Sequence, residues 1–480
     1  METNTDTDIC IVGCGPVGAF SSIALRARGF EVIVVEKQAD IYHLPRAINL
    51  DDELRRAFQN LDMEMHIADM VTPLQGAEFL DANLERLFGI DMPPGFIGPN
   101  GHPPASAFHQ PDLDTLLRTV ARERGADIRL RTEVVGVTEQ ADAVRVDTPG
   151  GAITARWVVA CDGASSAVRR MLGVGIEDRG FDQDWLVVDI DLTQLDHPMP
   201  SCAQQVCDPD RPATFVPGHA NHRRWEFQIQ PGEDPRAMCA PDTVWSLVAP
   251  WITPVQGNLI RAVVYRFHAM VAETMRVGRV FLAGDAAHQM PPFLGQGLNT
   301  GFRDAVNLAW KMDLVARRVA GDALLDTYEM ERKPHASGVV EHAVDVGRLI
   351  DTLAGRADHD VDQSSGYGGG RPFPRLEQGV LWGGGDRVGR LQPQPTVDGV
   401  PLDAHLGDGF AVLVADPSIE VPPAWTGLGA RVVSVEPELI GGHGLAIVRP
   451  DRYVAATVDD QAAADRATAS ILDALAVGPA

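Results

Sequence analysis

Apolar positions fall into three rhythms along this chain. Ile9–Val12 is an unbroken apolar run, and Glu31 to Val35 is a second one closed by Glu36. Between them Ala19 to Arg28 reads as a helix that Gly29 ends. Short unbroken runs of this kind predict strands of a parallel sheet, because such strands are covered on both faces. Much later, Val280 to Ala283 repeats the run and breaks at Gly284-Asp285. Two prolines and three more glycines follow, the last of them inside the first turn of a resumed helical pattern. That helix is predicted over Asn299 to Arg318, with Ala305, Leu308, Ala309 and Met312 on one face. The interval 181–270 is different. "DWLVVDIDL" and "RWEFQIQP" alternate, with proline and glycine between them, which predicts strands whose two faces differ. Residues 353–373 are polar and glycine-rich, as in a linker. Beyond them "GDGFAVLVADP", "ARVVSVEP" and "GLAIVRPDRYVAAT" read as strands and "DDQAAADRATASILDAL" as a helix. No internal repeat is visible. The class is α/β, and 480 residues exceed the usual size of one core, so two or three domains are expected.

The first glycine turn carries chemistry. Gly13, Gly15 and Gly18 stand in GxGxxG spacing between a strand and a helix, with a second strand ending in Glu36. In that setting the glycines permit a tight turn, close approach to a pyrophosphate and close helix–strand packing. The helix N-terminus offers free N–H groups to phosphate charge, and the acid accepts from a ribose diol. The motif alone leaves NAD and FAD open. A further segment, "VVACDGASSAVRRMLG", ends a strand at Cys161 and carries Asp162-Gly163 before a helix start.

Together these segments resemble the FAD-dependent class A aromatic hydroxylases, the p-hydroxybenzoate hydroxylase-like flavoprotein monooxygenases. GCGPVG with Glu36 is similar to their motif for the AMP moiety. Asp162-Gly163 with Ser166, Val168 and Arg169 is similar to the DG motif. Gly284-Asp285-Ala286-Ala287-His288, then Pro291-Pro292 and GQGLNTG, is similar to the GD motif. The resemblance spans about residues 8–350. Within the family, "PRAINLDDELRRAFQNLDM" and "RRWEFQIQPGEDP" look closest to 3-(3-hydroxyphenyl)propionate hydroxylase-type enzymes and polyketide hydroxylases.

The resemblance implies FAD as cofactor, and NADPH or NADH as a transient electron donor with no second dinucleotide fold. It implies contacts to FAD from Gly13, Gly15, Pro16, Val17 and Gly18, with Glu36 and Lys37 after the second strand. Arg46 and Gln110 match the family arginine and glutamine beside the cofactor. Asp162 and Gly163 come from the DG motif. Gly284, Asp285, Pro292, Gly295, Gly297, Leu298 and Asn299 come from the GD motif. Asp112 and Asp114 are read as capping and charging a helix start.

The implied fold is a Rossmann-like, glutathione reductase-like FAD-binding domain with an inserted β-sheet substrate domain and a thioredoxin-like C-terminal domain. The FAD domain is expected over 1–75, 100–180 and 270–350, and the substrate domain over 76–99 and 181–269. A linker over 351–375 and the C-terminal domain over 376–480 follow. The implied reaction is hydroxylation of a phenolic aromatic substrate with O₂ through a flavin hydroperoxide. It requires exclusion of water and assistance to phenol deprotonation. Arg46, Pro292 and His288 are candidates from the flavin loops, with support of the loop the first role for His288. His222, read as a surface residue of a hairpin turn, His268, in a strand and read as a satisfied core histidine, and Tyr265 are further candidates for the base, and the sequence leaves the choice open. Arg223 and Arg224 are open to pairing with a substrate carboxylate, but read first as exposed arginines at a turn. Same-fold alternatives are an epoxidase or other tailoring oxygenase of a larger hydrophobic natural product, and a flavin-binding redox sensor without turnover. The intact GD motif speaks against the sensor, and the absence of WxWxIP against a halogenase.

Charge and cysteine usage narrow the setting. A formal net charge of −25 argues against nucleic acid and against anionic membrane surfaces as partners. The six cysteines form no CxxC and no metal pattern, so no metal site and a reducing, cytoplasmic setting are expected. The missing CxxC also removes a redox role from the C-terminal region. There, packing or the contact of a homodimer is the expectation.

Overall fold

A computed structural model describes residues 5–194, 197–357 and 374–475. The first sheet has its strands in the order Arg276–Val277, Val280–Leu282, Gly151–Ala160, Thr7–Val12, Val32–Val35 and Asp127–Arg129. The strands from Val280–Leu282 to Asp127–Arg129 run parallel. Every side chain of Val32–Val35 is buried, as an unbroken apolar run requires. Helix Pro16–Arg26 follows the first strand and packs on helix Gly297–Ala316, with Phe20 stacked on Phe302 at 4.4 Å and Phe58 edge-on to Phe20 at 5.4 Å.

The second sheet runs His288–Gln289, Gly257–Ala272, Ile176–Leu192, His222–Gln228, Ala213–Pro217, Ala203–Val206, Gly76–Leu80 and Arg86–Asp91. One face carries Leu186, Val188, Ile190, Trp225 and Phe227, buried together with Val244 and Val248 of helix Pro241–Val248. The other face meets the first domain. The long strands cross the expected boundaries: one begins at Ile176 and the other ends at Ala272. Pairing drives this, since the register holds Ile176 opposite Ala272.

Helix Asp326–Leu353 runs on past residue 351, so the expected linker begins within a helix. The remainder of that expectation, 358–373, lies outside the described residues. The last unit has a four-stranded sheet in the order Arg431–Ser434, Ala411–Val414, Leu445–Val448 and Val454–Val458, followed by helix Gln461–Ala474.

Buried charge joins this unit to the rest. Glu331 pairs with Lys311 at 2.7 Å and with Arg449 at 2.7 Å, and Arg449 also holds Asp451. Arg56 and Asp403 form a second buried pair at 2.6 Å. All six cysteines are free, and burial pushes the Cys14 thiol up to about 11. Among the described residues no helix is long and apolar enough to cross a membrane. No cluster with metal-ligand character occurs among them either.

Candidate active site

The parallel strands end side by side, so Gly13, Glu36, Asp162 and Gly284 lie on one edge of the sheet. That edge is where an open α/β sheet takes its ligand. The glycine turn shows the division of labour that the spacing implies. Gly13 has φ +96°, and a Cβ there would lie 2.4 Å from the Cys161 carbonyl oxygen. A Cβ on Gly18 would lie 2.1 Å from the Gly13 oxygen, so the helix can seat only on a glycine. Gly15 has no protein atom within 4 Å of that position, which leaves its flank open. No side chain caps the helix that starts at Pro16, so its first N–H groups keep their capacity for an anion.

Glu36 is buried and accepts from the N–H groups of Cys14 and Gln38, each at 2.8 Å. Each carboxylate oxygen retains a lone pair for a diol. Arg118 fixes the same turn through the Cys14 carbonyl at 2.9 Å. Lys37 follows on the surface. Gln110 accepts from the N–H groups of Arg46 at 3.0 Å and Ala47 at 2.6 Å, which sets the Arg46 loop.

The Arg46 side chain is exposed and lies over the Tyr42 ring at 5.2 Å. Its charge acts on Asp114, Asp285 and Tyr265. Asp112 pairs with His109 at 2.9 Å in the first turn of its helix. Asp114 does not cap the helix: it is buried beside Gln110, and burial pushes it up to about 6.

Asp162 is used inside the protein. It accepts from the Ser166 hydroxyl at 2.5 Å and from the Ala167 and Val168 N–H groups, which nucleates helix Ala167–Met171. Arg169 then bridges to the Ala286 carbonyl at 2.8 Å, tying the DG segment to the GD segment. Asp285 keeps solvent contact while protein atoms crowd it, and that crowding pushes its carboxyl up.

Gly301 seats the next helix: a Cβ there would lie 2.6 Å from Val17 and 2.9 Å from the Gly284 Cα. Helix Gly297–Ala316 also starts without a side-chain cap, leaving the Gly297 and Leu298 N–H groups for a ligand. The Asn299 side chain is occupied by Asn49, Gly295 and Asp51.

His288 lies away from the cleft. Its side chain has no exposed surface, and Nε2 bonds Asp304 at 2.7 Å. Asp304 also receives Arg332 and the Gly284 N–H. Burial pushes Asp304 up, but His288 and Arg332 prevail and hold it below the usual range. His288 therefore braces the GD turn.

His222 is likewise not a surface turn residue. It opens strand His222–Gln228, is buried, and bonds Asp189 at 2.8 Å. Arg224 is buried as well. It bonds Asp189 at 2.8 Å and the carbonyls of Pro45 and Arg46, so it clamps the Arg46 loop to the second sheet. Arg223 stays at the turn, bonded to backbone carbonyls. His268 is no core histidine: its side chain is 31% exposed beside Asp182. Tyr265 is half-buried at the cleft, and its hydroxyl accepts from Arg261 at 3.2 Å.

The face of the second sheet that meets the cleft is aromatic and apolar. Trp185 contacts Phe293 edge-on at 5.3 Å, and Pro292 sits in the turn Pro292–Leu294 beside it. Phe79 and Phe88 are stacked at 4.7 Å, and Phe79 shares an apolar cluster with Leu294 and Val346. Two buried carboxylates, Asp189 and Glu226, share this face, and Asp189 is paired with Arg224, Arg261 and His222. Glu226 is 6% exposed and forms no side-chain hydrogen bond among the described residues. Sequence reading missed it, together with Arg224 and Arg118. The signal was its alternation with Trp225 and Phe227, which says that Glu226 faces away from them but not towards what.

FAD fits this cleft. Among the described residues two helix starts without side-chain caps stand at one sheet edge, the Gly15 flank is open, and Asp285 is exposed. The buried Asn49 Oδ1 and Gln296 Nε2, near Gly295, have no hydrogen-bond partner among the described residues. Glu36 with the Pro16 helix would hold the nucleotide half. The Gly297 helix start would face the ring.

A family model described as the FAD binding domain matches residues 6–343. The chain is 35% identical over 467 residues to a 3-(3-hydroxy-phenyl)propionate/3-hydroxycinnamic acid hydroxylase of Mycobacterium sp. (strain JLS), covering 90% of this chain and 81% of that protein. It is 33% identical to the protein of the same description in Burkholderia cenocepacia (strain HI2424), with 94% of each covered. Among solved structures it resembles aklavinone-11 hydroxylase in complex with FAD and aklavinone. The TM-score is 0.81 at 23% identity, over 98% of this chain and 99% of that one. It also resembles the flavin-dependent monooxygenase PieE in complex with FAD and substrate, with a TM-score of 0.82 at 20% identity, over 98% and 99% of the two chains.

Proposed function

This chain belongs to the family of the FAD binding domain, and from that membership we propose that it hydroxylates a phenolic ring held between the Arg46 loop, the Pro292–Leu294 turn and the second sheet. It is an FAD-dependent aromatic monooxygenase, with NAD(P)H as electron donor. The chemistry supplied by FAD when bound is two-electron reduction by NAD(P)H, then activation of O₂ so that one oxygen atom passes to an electron-rich ring.

The observation that carries the substrate reading is the cleft wall. Phe293 of the Pro292–Leu294 turn lies edge-on to Trp185 of the second sheet, and Phe79, stacked on Phe88, packs in one cluster with Leu294, so the wall behind that turn is aromatic. These side chains exclude water, which the reaction requires. Arg46 places positive charge beside Asp285 and Tyr265, and Gln110 and Arg224 fix its loop from two sides. His288, through Asp304, holds the Gly284 turn in register with helix Gly297–Ala316. The simplest substrates are phenols of the 3-(3-hydroxyphenyl)propionate class, given the identity to hydroxylases so described.

The strand order of the last unit, with its first pair parallel and the others antiparallel, supports a thioredoxin-like reading. Without a CxxC, and with Arg449 ion-paired to Glu331 of one long helix and Asp451 accepting from Asn307 and Trp310 of the other, its role is structural.

The test follows NADH and NADPH oxidation in air by the yellow holoprotein. It is run with and without 3-(3-hydroxyphenyl)propionate, resorcinol and a polycyclic phenol, and products are weighed by mass spectrometry. Stimulated oxidation with a product heavier by one oxygen atom supports the reading. Oxidation that no phenol stimulates overturns it.

A further inference from the structure

We propose that Glu226 is the catalytic base that takes the phenolic proton of the substrate. This rests on the hydroxylase reading above and assigns the group that reading lacks.

The placement follows from sheet register. One row of side chains crosses the second sheet as Phe88, Phe79, Gln205, Thr214, Glu226, Val187 and Val263. Residues in one row share a face. Two landmarks show which face it is. Arg224, two residues before Glu226 on the same strand, holds the Pro45 and Arg46 carbonyls. Phe79, along the row, packs with Leu294. Glu226 therefore stands between the two loops that bound the cofactor cleft, and its neighbours Trp225 and Phe227 point into the opposite core.

Its surroundings leave it unused by the fold. Asp189 takes Arg224, Arg261 and His222 for itself. Thr214 donates to Gln205, Gln205 donates to the Ala213 carbonyl, and Gln228 accepts from Arg356. A buried carboxylate is costly unless something bonds it, and here no described side chain does. The alternative bases are committed or remote: His222 to Asp189, His288 to Asp304, and His268 partly exposed beside Asp182.

Burial pushes Glu226 above the ordinary carboxylate range. Arg224 and Arg261 oppose that shift and Asp189 adds to it. A raised carboxyl is a stronger base than a free one, which suits proton abstraction. In the step, the phenolic O–H breaks and its proton moves to a Glu226 carboxylate oxygen, giving phenolate and a neutral acid. After oxygen transfer the ring carbon that gained the hydroxyl loses its own proton to water. Glu226 then returns its proton to the ring oxygen.

The experiment compares wild type, E226Q and E226D as FAD-loaded proteins, with 3-(3-hydroxyphenyl)propionate and resorcinol as substrates and 4-nitrophenol as a binding probe. The absorbance of bound 4-nitrophenol reports its own ionisation. For E226Q the expectation is a kcat lower by about a hundredfold with KM changed little. The acid limb of the rate profile should vanish, and 4-nitrophenol should bind as the neutral phenol. FAD affinity should be unchanged and thermal stability no lower, since an unpartnered carboxylate has been replaced by a neutral amide. E226D should recover part of the rate and keep the limb. If E226Q keeps kcat within about threefold and retains the acid limb, Glu226 is not the base. The hydroxylase reading then stands alone. Should E226Q fail to fold, E226D decides by the same profile: an unchanged limb position and rate overturn the assignment. If wild type converts none of the phenols, the hydroxylase reading itself fails and takes the base with it.

Discussion

The substitution Glu331→Gln tests how the last unit is held. Glu331 lies on helix Asp326–Leu353 and accepts five hydrogen bonds: two from Arg449 at 2.9 and 2.7 Å, and one each from Lys311 at 2.7 Å, Asn307 at 2.7 Å and the Val380 N–H at 2.9 Å. The charged partners are fully buried. Two negative charges, Glu331 and Asp451, balance two positive ones, Lys311 and Arg449, so the cluster is neutral as a whole. Glutamine keeps the shape, removes one negative charge and turns an acceptor into a donor facing donors. Breaking a buried pair in this way costs about 3–5 kcal/mol. At about 2–4 °C per kcal/mol, the unfolding midpoint should fall by roughly 10 °C. The double substitution Glu331→Leu with Lys311→Met leaves Arg449 paired to Asp451. It should recover most of the loss, because apolar replacement of a whole pair is often neutral. The assay is thermal unfolding of the FAD-saturated protein followed by near-ultraviolet circular dichroism. A midpoint for Glu331→Gln within about 2 °C of wild type would refute the argument. So would a double variant that unfolds at the temperature the summed single losses predict.

Other outcomes separate local from global causes. Gly15→Ala adds a methyl to open space, so the apoprotein should unfold at the wild-type temperature. FAD affinity, read by flavin fluorescence, should drop at least about tenfold. Gly18→Ala drives a Cβ to 2.1 Å from the Gly13 oxygen, so both apoprotein stability and FAD affinity should fall, and an unaffected midpoint would contradict the packing. Acid sensitivity follows from the paired carboxylates. Asp403 is buried but held down to about 2 by Arg56 and Arg452, and Glu331 to about 2 by Arg449 and Lys311. A depressed folded value means stability present above the unfolded value, near 4, and lost as pH falls towards 2. Equilibrium unfolding at graded pH should show that loss between about pH 4 and 2, and a flat profile there would deny the pairing.

What the sequence alone determined is short-range geometry. Gly13, Gly15 and Gly18, Glu36, Asp285 and the Gly297 helix start were legible because each answers to short-range geometry: a turn, a helix terminus, the end of a strand. Spacing records such constraints directly. The second sheet was legible only as strands. Alternation in "RRWEFQIQP" shows that Trp225 and Phe227 share a face and Glu226 the other, but a charged residue on the second face reads as solvent-exposed by default. Here that face is covered by the cofactor domain, so Arg224, His222 and Glu226 are interior groups. The same default hid Lys311, Glu331 and Arg449: Lys311 and Glu331 meet across two helices 20 residues apart, and Arg449 joins them only after the chain has closed on itself over 118 residues. Apolar burial is written in local pattern because every apolar side chain seeks cover of any kind. Polar burial depends on which distant partner arrives, and only the tertiary structure decides that.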